Sequence, residues 1–241
     1  MLTMTHQLKA PFAAIHANVQ LFLKGHCGVL SDEALDVARR IAARSRRLAT
    51  EIQEMLQLAN LSSSSQKPPG SIELCLSEAL NWCVEQVRPM AQDRRIALDI
   101  DIQPTRIKGV EDHLKMLFSN LLSNAVFYSY KGGRVGVQCG REDPSRAVVT
   151  ISDEGIGIAA EKLPHIFDEH YRTKEAVRHN KESSGLGLAI VKHVTELHGI
   201  QLQVQTQPGT GTTFKLCFPC AAAEPPVSGK KEIRNGLCDD Y

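Results

Sequence analysis

The 241-residue chain has almost no net charge: 28 Lys and Arg against 27 Asp and Glu leave +1. Such a balance offers nothing to draw the chain onto nucleic acid or an anionic membrane. It also lacks any apolar run approaching bilayer length. A basic segment followed by a short apolar one, the mark of a secretory leader, is missing too. These absences lead to the expectation of a soluble, cytoplasmic chain with no membrane segment. The seven cysteines are odd in number and scattered, so reduced thiols are expected rather than a disulfide framework. Only Cys217-Phe-Pro-Cys220 forms a close pair, and no second pair at metal-ligand spacing accompanies it. A strand residue followed by a loop residue is the simpler reading of that pair than a redox couple.

What is present suffices for two modest domains: 42% of the residues are hydrophobic. Two stretches punctuate the chain. Ser62-Ser63-Ser64-Ser65-Gln66-Lys67-Pro68-Pro69-Gly70 reads as a linker, flexible and then stiff. From Ala221 onward the sequence is polar and reads as a mobile tail. Four parts follow: 1–61, a linker at 62–70, 71–220, and a tail at 221–241.

The first part reads as a helical hairpin. Leu8, Phe12, Ile15, Val19 and Phe22 follow alternating steps of four and three. So do Ala34, Ala38, Ile41, Ser45, Leu48, Ile52, Met55 and Ala59, which makes one apolar seam per helix. Gly25 and Gly28 break the first helix, and Ser31 or Asp32 caps the second. A lone two-helix hairpin buries too little to stand alone, so a four-helix bundle closed by a second copy is expected. The arginines at 39, 40, 44, 46 and 47 read as its solvated face. The part from 71 to 220 mixes types. Strands are expected at 72–74, 96–102, 134–139, 147–152, 202–206 and 212–218, and helices at 77–92, 111–128 and 187–198. That order suggests an α+β layer sandwich.

Three clusters in this second part suit a nucleotide. Asn120 and Asn124 lie four apart on one helix face, and their carboxamide oxygens are hard ligands suited to Mg²⁺. Asp153-Glu154-Gly155-Ile156-Gly157 follows a strand, where a carboxylate can accept from an adenine amino group and glycines admit close backbone approach. Gly185-Leu186-Gly187 opens a helix, whose first N–H groups favour phosphate. Each is weak alone, and all three in order make a joint signal. In the first part, His6 sits beside the seam, with Pro11 bending the helix five residues on.

Together these residues resemble a sensor histidine kinase core. Thr5-His6-Gln7-Leu8-Lys9-Ala10-Pro11 is similar to the family's H box, and Asn120 through Ser129 to its N box. Asp153–Ile158 resembles the G1 box, Ile166–Arg172 the F box and Gly185–Lys192 the G2 box. Pro208–Phe214 is similar to the closing strand motif. The resemblance implies a phosphoacceptor and dimerisation hairpin followed by a two-layer α+β sandwich of GHKL ATPase type. It implies Mg²⁺ and ATP as cofactors, His6 as phosphoacceptor with Gln7 and Lys9 beside it, and a response-regulator receiver domain as partner. Asn124 would hold the metal, with Asn120 supporting it, and Asp153 would read adenine beside Gly155 and Gly157. Tyr128 and Arg172 would lie near the phosphates, and residues 173–184 would form the ATP lid, hinged at Gly185 and Gly187. Phe167, Tyr171, Leu186 and Thr212 complete the implied nucleotide set. Other GHKL ATPases and the serine kinases of that superfamily lack the hairpin, and a pseudokinase scaffold would bind ATP without transfer.

Three positions depart from the family pattern. Gln7 replaces an acidic residue, and an amide cannot accept a proton from the imidazole as a carboxylate can. Ala10 stands where a Thr or Asn is usual, which implies weak phosphatase activity toward the partner regulator. Phe127 occupies a place where relatives carry Lys or Arg, one phosphate contact fewer. Slow autophosphorylation follows from Gln7. The Gln7→Glu variant is expected to speed it by about tenfold or more, read as the initial rate of label incorporation; an unchanged rate contradicts the base argument.

Overall fold

A computed structural model describes residues 14–15, 17–62, 71–143, 146–180 and 183–219. His6, Gln7, Lys9, Ala10 and Pro11, most of the linker, the C-terminal tail and Cys220 lie outside these residues. The hairpin's first helix, α1, is described at 14–15 and 17–23. Its second, α2, spans Asp32–Ser62. The Ser31 hydroxyl accepts the Ala34 N–H at 3.2 Å, so Ser31 is the N-cap. Val19 packs with Ala38 and Ala42 in a small core, joined by Leu23.

The expected seam divides in two. Val19, Ala38 and Ser45 are buried inside the hairpin. Ile15, Phe22, Ile41, Leu48 and Met55 stay 42–48% exposed. Packing within one hairpin consumes only one side of each stripe, and the outer side is left unpartnered among the described residues. Near the end of α2, Leu58 and Leu61 leave the hairpin altogether and join the main core.

The remaining elements run β1 (Ile72–Cys75), α3 (Leu76–Asp93), β2 (Ala97–Ile102), β3 (Arg106–Gly109), α4 (Glu111–Tyr128), β4 (Arg134–Asp143) and β5 (Arg146–Asp153). A 3-10 turn (Ala160–His165), α5 (Lys174–His179), α6 (Gly187–His198), β6 (Gln201–Gln207) and β7 (Gly211–Pro219) follow. Five strands form one sheet in the order β2-β4-β5-β7-β6, parallel only between β2 and β4. Alternate residues of the inner strands turn one way: Val135 and Val137, Ala147, Val149 and Ile151, Phe214, Leu216 and Phe218 are all buried. They meet the apolar faces of α3, α4 and α6, giving the expected two layers.

Helix α4 carries two stripes. Leu114, Leu117, Phe118, Leu121, Leu122 and Ala125 are buried at helical spacing. Asn120, Asn124 and Tyr128, spaced four apart, turn the other way. Its first turn is joined to the end of α6 by His113 Nδ1 and His198 Nε2, 3.2 Å apart. Burial lowers both imidazoles, His198 to about 4, so the pair is neutral and one ring donates to the other.

Besides the 3-10 turn, two elements lie beyond the sequence expectations. Strand β3 pairs antiparallel with β1 in a separate two-stranded sheet. Helix α5 forms within the segment expected to be the lid, capped by Thr173, whose hydroxyl accepts the Ala176 N–H at 3.1 Å. Cys217 is buried in β7, as a strand residue, and the five described cysteines are unbridged.

One backbone contact fixes where the site can form. At Gly211, φ is +133°, and a Cβ there would meet the Asp153 carbonyl oxygen at 1.8 Å. No side chain fits, so the start of β7 lies directly against the end of β5.

Candidate functional site

A cavity of about 490 Å³ opens at this end of the sheet, a size suited to a small-molecule ligand. Its walls come from the second stripe of α4, the end of β5, the loop after it, the α5 segment, the start of α6 and the start of β7. Asp153 supplies a carboxylate at the floor. Burial pushes its pKa up to about 7, against the pull of the Thr212 and Gly155 N–H groups. The Thr212 N–H lies 3.3 Å from Asp153 Oδ1, and the Thr212 hydroxyl lies 3.0 Å from that of Thr206. The floor thus holds one carboxyl and the Thr212 hydroxyl, among Ile156, Ile158, Ile166 and Phe214.

The opposite end is polar. The Asn120 amide donates to the Met116 carbonyl at 2.8 Å, which fixes the side chain. Its Oδ1 lies 2.7 Å from where a Cβ of residue 187 would stand, so only Gly187 lets α6 begin against it. The Asn124 carboxamide lines the cavity and makes no hydrogen bond among the described residues. The Tyr128 hydroxyl lies 3.4 Å from that of Ser183, and its ring rests against His179 of α5 at 6.2 Å. Arg172 donates from Nη2 to the Asn180 carbonyl, and its Nε is buried without a partner among the described residues. A guanidinium N–H held dry beside an open cavity suits an incoming anion.

Of the nucleotide residues expected from sequence, Asn120, Asn124, Tyr128, Asp153, Gly157, Tyr171, Arg172, Gly185, Gly187 and Thr212 line this one cavity. Gly155, Leu186 and Phe167 stand behind its wall. A Cβ at Gly155 would meet the Tyr128 carbonyl oxygen at 2.2 Å, Leu186 is buried in the core, and Phe167 packs onto that core. Phe127 lines the cavity as an apolar side chain. His6, Gln7 and Lys9 are outside the described residues.

The sequence reading missed the wall contributed by the hairpin. Arg46, Arg47, Thr50 and Glu54 of α2 line the same cavity. Arg46 and Arg47 are therefore not simply part of a solvated face. Arg47 is paired with Glu51 at 2.8 Å, whereas the Arg46 guanidinium donates to the Ala42 carbonyl of its own helix at 3.4 Å. Glu54 accepts from the Ser184 hydroxyl. Burial raises the Glu54 carboxyl above the ordinary range, and Ser184 opposes that rise. Steps of four at 46, 50 and 54 were visible in the sequence, but nothing in them told which partner the stripe would face.

Residues 109–222 match the family described as "Histidine kinase-, DNA gyrase B-, and HSP90-like ATPase". The chain is 33% identical over 224 residues to the sensor-like histidine kinase SenX3 of Mycolicibacterium smegmatis, covering 89% of this chain and 55% of that protein. Sensor histidine kinase RppB of Synechocystis is 30% identical, covering 89% of this chain and 47% of RppB. The chain spans about half the length of such curated relatives. Among solved structures, the mycobacterial sensor histidine kinase MprB is 31% identical, with a TM-score of 0.55, covering 62% of this chain and 97% of that one. ShkA, solved full-length with AMPPNP, shares the fold at 22% identity and a TM-score of 0.69, covering 92% of this chain and 46% of that one.

The buried Asp153 carboxyl predicts a stability test. Between about pH 4 and 7 the native state holds a proton there that the unfolded chain has released, so stability falls as pH rises through that window. Above about pH 7 the whole penalty is present. Asp153→Asn removes it and is expected to stabilise the ligand-free protein by roughly 1 kcal/mol or more at about pH 8. At about pH 4 the variant and wild type should melt alike. Thermal melts across pH check this; a variant less stable than wild type at about pH 8 contradicts it.

Proposed function

The chain belongs to the sensor histidine kinases, and from that premise we propose that it binds Mg-ATP, phosphorylates itself on His6 and passes the phosphoryl group to an aspartate of a response regulator. The observation that carries the reading is the single cavity in which Asn120, Asn124, Asp153, Arg172, Gly185 and Gly187 meet from separate elements. Asp153 accepts the adenine amino group at the apolar floor. The polyphosphate lies toward the start of α6, where Arg172 donates and the first helical N–H groups add a positive field. Mg²⁺ fits the unengaged Asn124 carboxamide, with Asn120 one turn earlier, and would neutralise polyphosphate charge there.

The reaction asks the protein for positioning and charge more than for covalent help. The γ-phosphoryl group moves from the bridging oxygen of ADP to an imidazole nitrogen of His6, ADP leaves, and the imidazole gives up its proton. Phe127 adds no charge to the site, and Gln7 accepts that proton poorly, so both keep the rate low. Residues 1–61 serve as the acceptor hairpin and 71–220 as the ATP-binding domain, joined through 62–70 and followed by a tail at 221–241. The segment at 173–184, including α5, acts as the lid. The exposed stripe of Ile15, Phe22, Ile41, Leu48 and Met55 supports a homodimer closed as a four-helix bundle. Among the described residues no helix is long and apolar enough to cross a membrane. The proposed working compartment is the cytoplasm, free or attached to a sensor.

Incubation with γ-labelled ATP and Mg²⁺ tests the proposal. Acid-labile, base-stable label should appear on the wild type and disappear in His6→Ala, and a purified receiver domain should then take it up. Label that persists in His6→Ala, or ATP hydrolysis with no protein label, contradicts it.

A further inference from the structure

Helix α2 turns Arg46, Thr50 and Glu54, three residues spaced four apart, toward the nucleotide cavity. Of these three, Glu54 alone is hydrogen-bonded to the opposite wall among the described residues. Its carboxylate accepts the proton of the Ser184 hydroxyl. The same Ser184 oxygen accepts the Leu186 N–H at 3.1 Å, at the start of α6. The only proton on that hydroxyl is therefore spent on Glu54, and Ser184 has none left to donate to a ligand. Negative charge also sits at the N-terminal end of α6, where the polyphosphate is read to lie.

No basic side chain among the described residues lies within ion-pair distance of Glu54. Arg47 is engaged by Glu51, Arg46 rests on its own helix, and Arg172 is turned to Asn180. Burial raises the Glu54 carboxyl; the Ser184 hydrogen bond opposes that rise, the Glu51 charge adds to it, and the nearby His170 offsets it in part. ATP carries one more phosphate than ADP. In the ATP reading, with adenine at Asp153, that phosphate would be the part farthest from the floor, in the cavity that α2 also lines.

We infer that Glu54 is a specificity-determining residue of this cavity, an anionic gate that opposes a nucleoside triphosphate more than a diphosphate. The inference rests on the ATP reading above. Glu54 holds the Ser184 donor until a nucleotide displaces it, and the charge of the terminal phosphate must be accommodated beside the carboxylate. The hairpin thereby sets how the catalytic unit ranks substrate against product.

Titration calorimetry of the full 241-residue chain, with AMP-PNP or ADP in the presence of Mg²⁺, tests this. Glu54→Gln keeps an oxygen for Ser184 and removes the charge. It is expected to tighten AMP-PNP binding about tenfold and ADP binding less than about twofold. Glu54→Ala, a second variant without the hydrogen bond, should also favour AMP-PNP over ADP, with thermal melts confirming the fold of both. Equal effects on the two nucleotides, no effect, or weaker AMP-PNP binding in both folded variants overturns the gate and leaves the ATP site standing. Failure of wild type to bind either nucleotide overturns the site and the gate together.

Discussion

The middle strand of the sheet ends in a carboxyl group that is costly to bury. Asp153 closes β5, and burial lifts its pKa to about 7. Backbone donors from Thr212 and Gly155 offset part of that cost, and they can do so only because β7 comes directly against the strand end at Gly211. At that junction β7 lies between β5 and β6, and the turn after Asp153 begins. Keeping a poorly solvated acid at a strand end costs stability. Carboxyl groups perturbed in this way cluster at functional sites.

Helix α2 links the two halves of the molecule. Its first half packs in the hairpin through Ala38 and Ala42. Its last turns carry Leu58 and Leu61 into the main core. Between those anchors, Arg46 to Glu54 pass along the cavity. Any tilt of α2 against α6 must therefore alter one wall of the nucleotide site. In the proposed reaction, movement of the hairpin and occupancy of the cavity would be coupled through this one helix.

Much of this was legible in the sequence where a local rule decides the outcome. The apolar spacing of Leu114 to Ala125 dictated α4, and the same period put Asn120, Asn124 and Tyr128 on its other side. The glycines at 157, 185, 187 and 211 marked places where backbone or side chains crowd in. What escaped notice was non-local. Strand β3 is four residues, Arg106–Gly109, with alternate charged positions, and it is a strand because β1 pairs with it. The seam of Ile41, Leu48 and Met55 reads the same whether its partner is in the same chain or another. Arg46 read as part of a solvated face and Glu54 belonged to no motif, because only the docking of α2 onto the cavity places them there. Residues such as Phe167 and Leu186 matched motifs, yet they support the wall from behind.

Recognition of adenine by a buried carboxylate is most directly tested by following the Asp153 side-chain carboxyl by carbon NMR as pH is varied, with and without ATP. The free protein should show an apparent pKa near 7. Saturation with ATP should lower it, because an N–H donor from the base favours the charged form. A value in the ordinary carboxylate range in the free protein, or one that stays put or rises with ATP, would contradict recognition through Asp153.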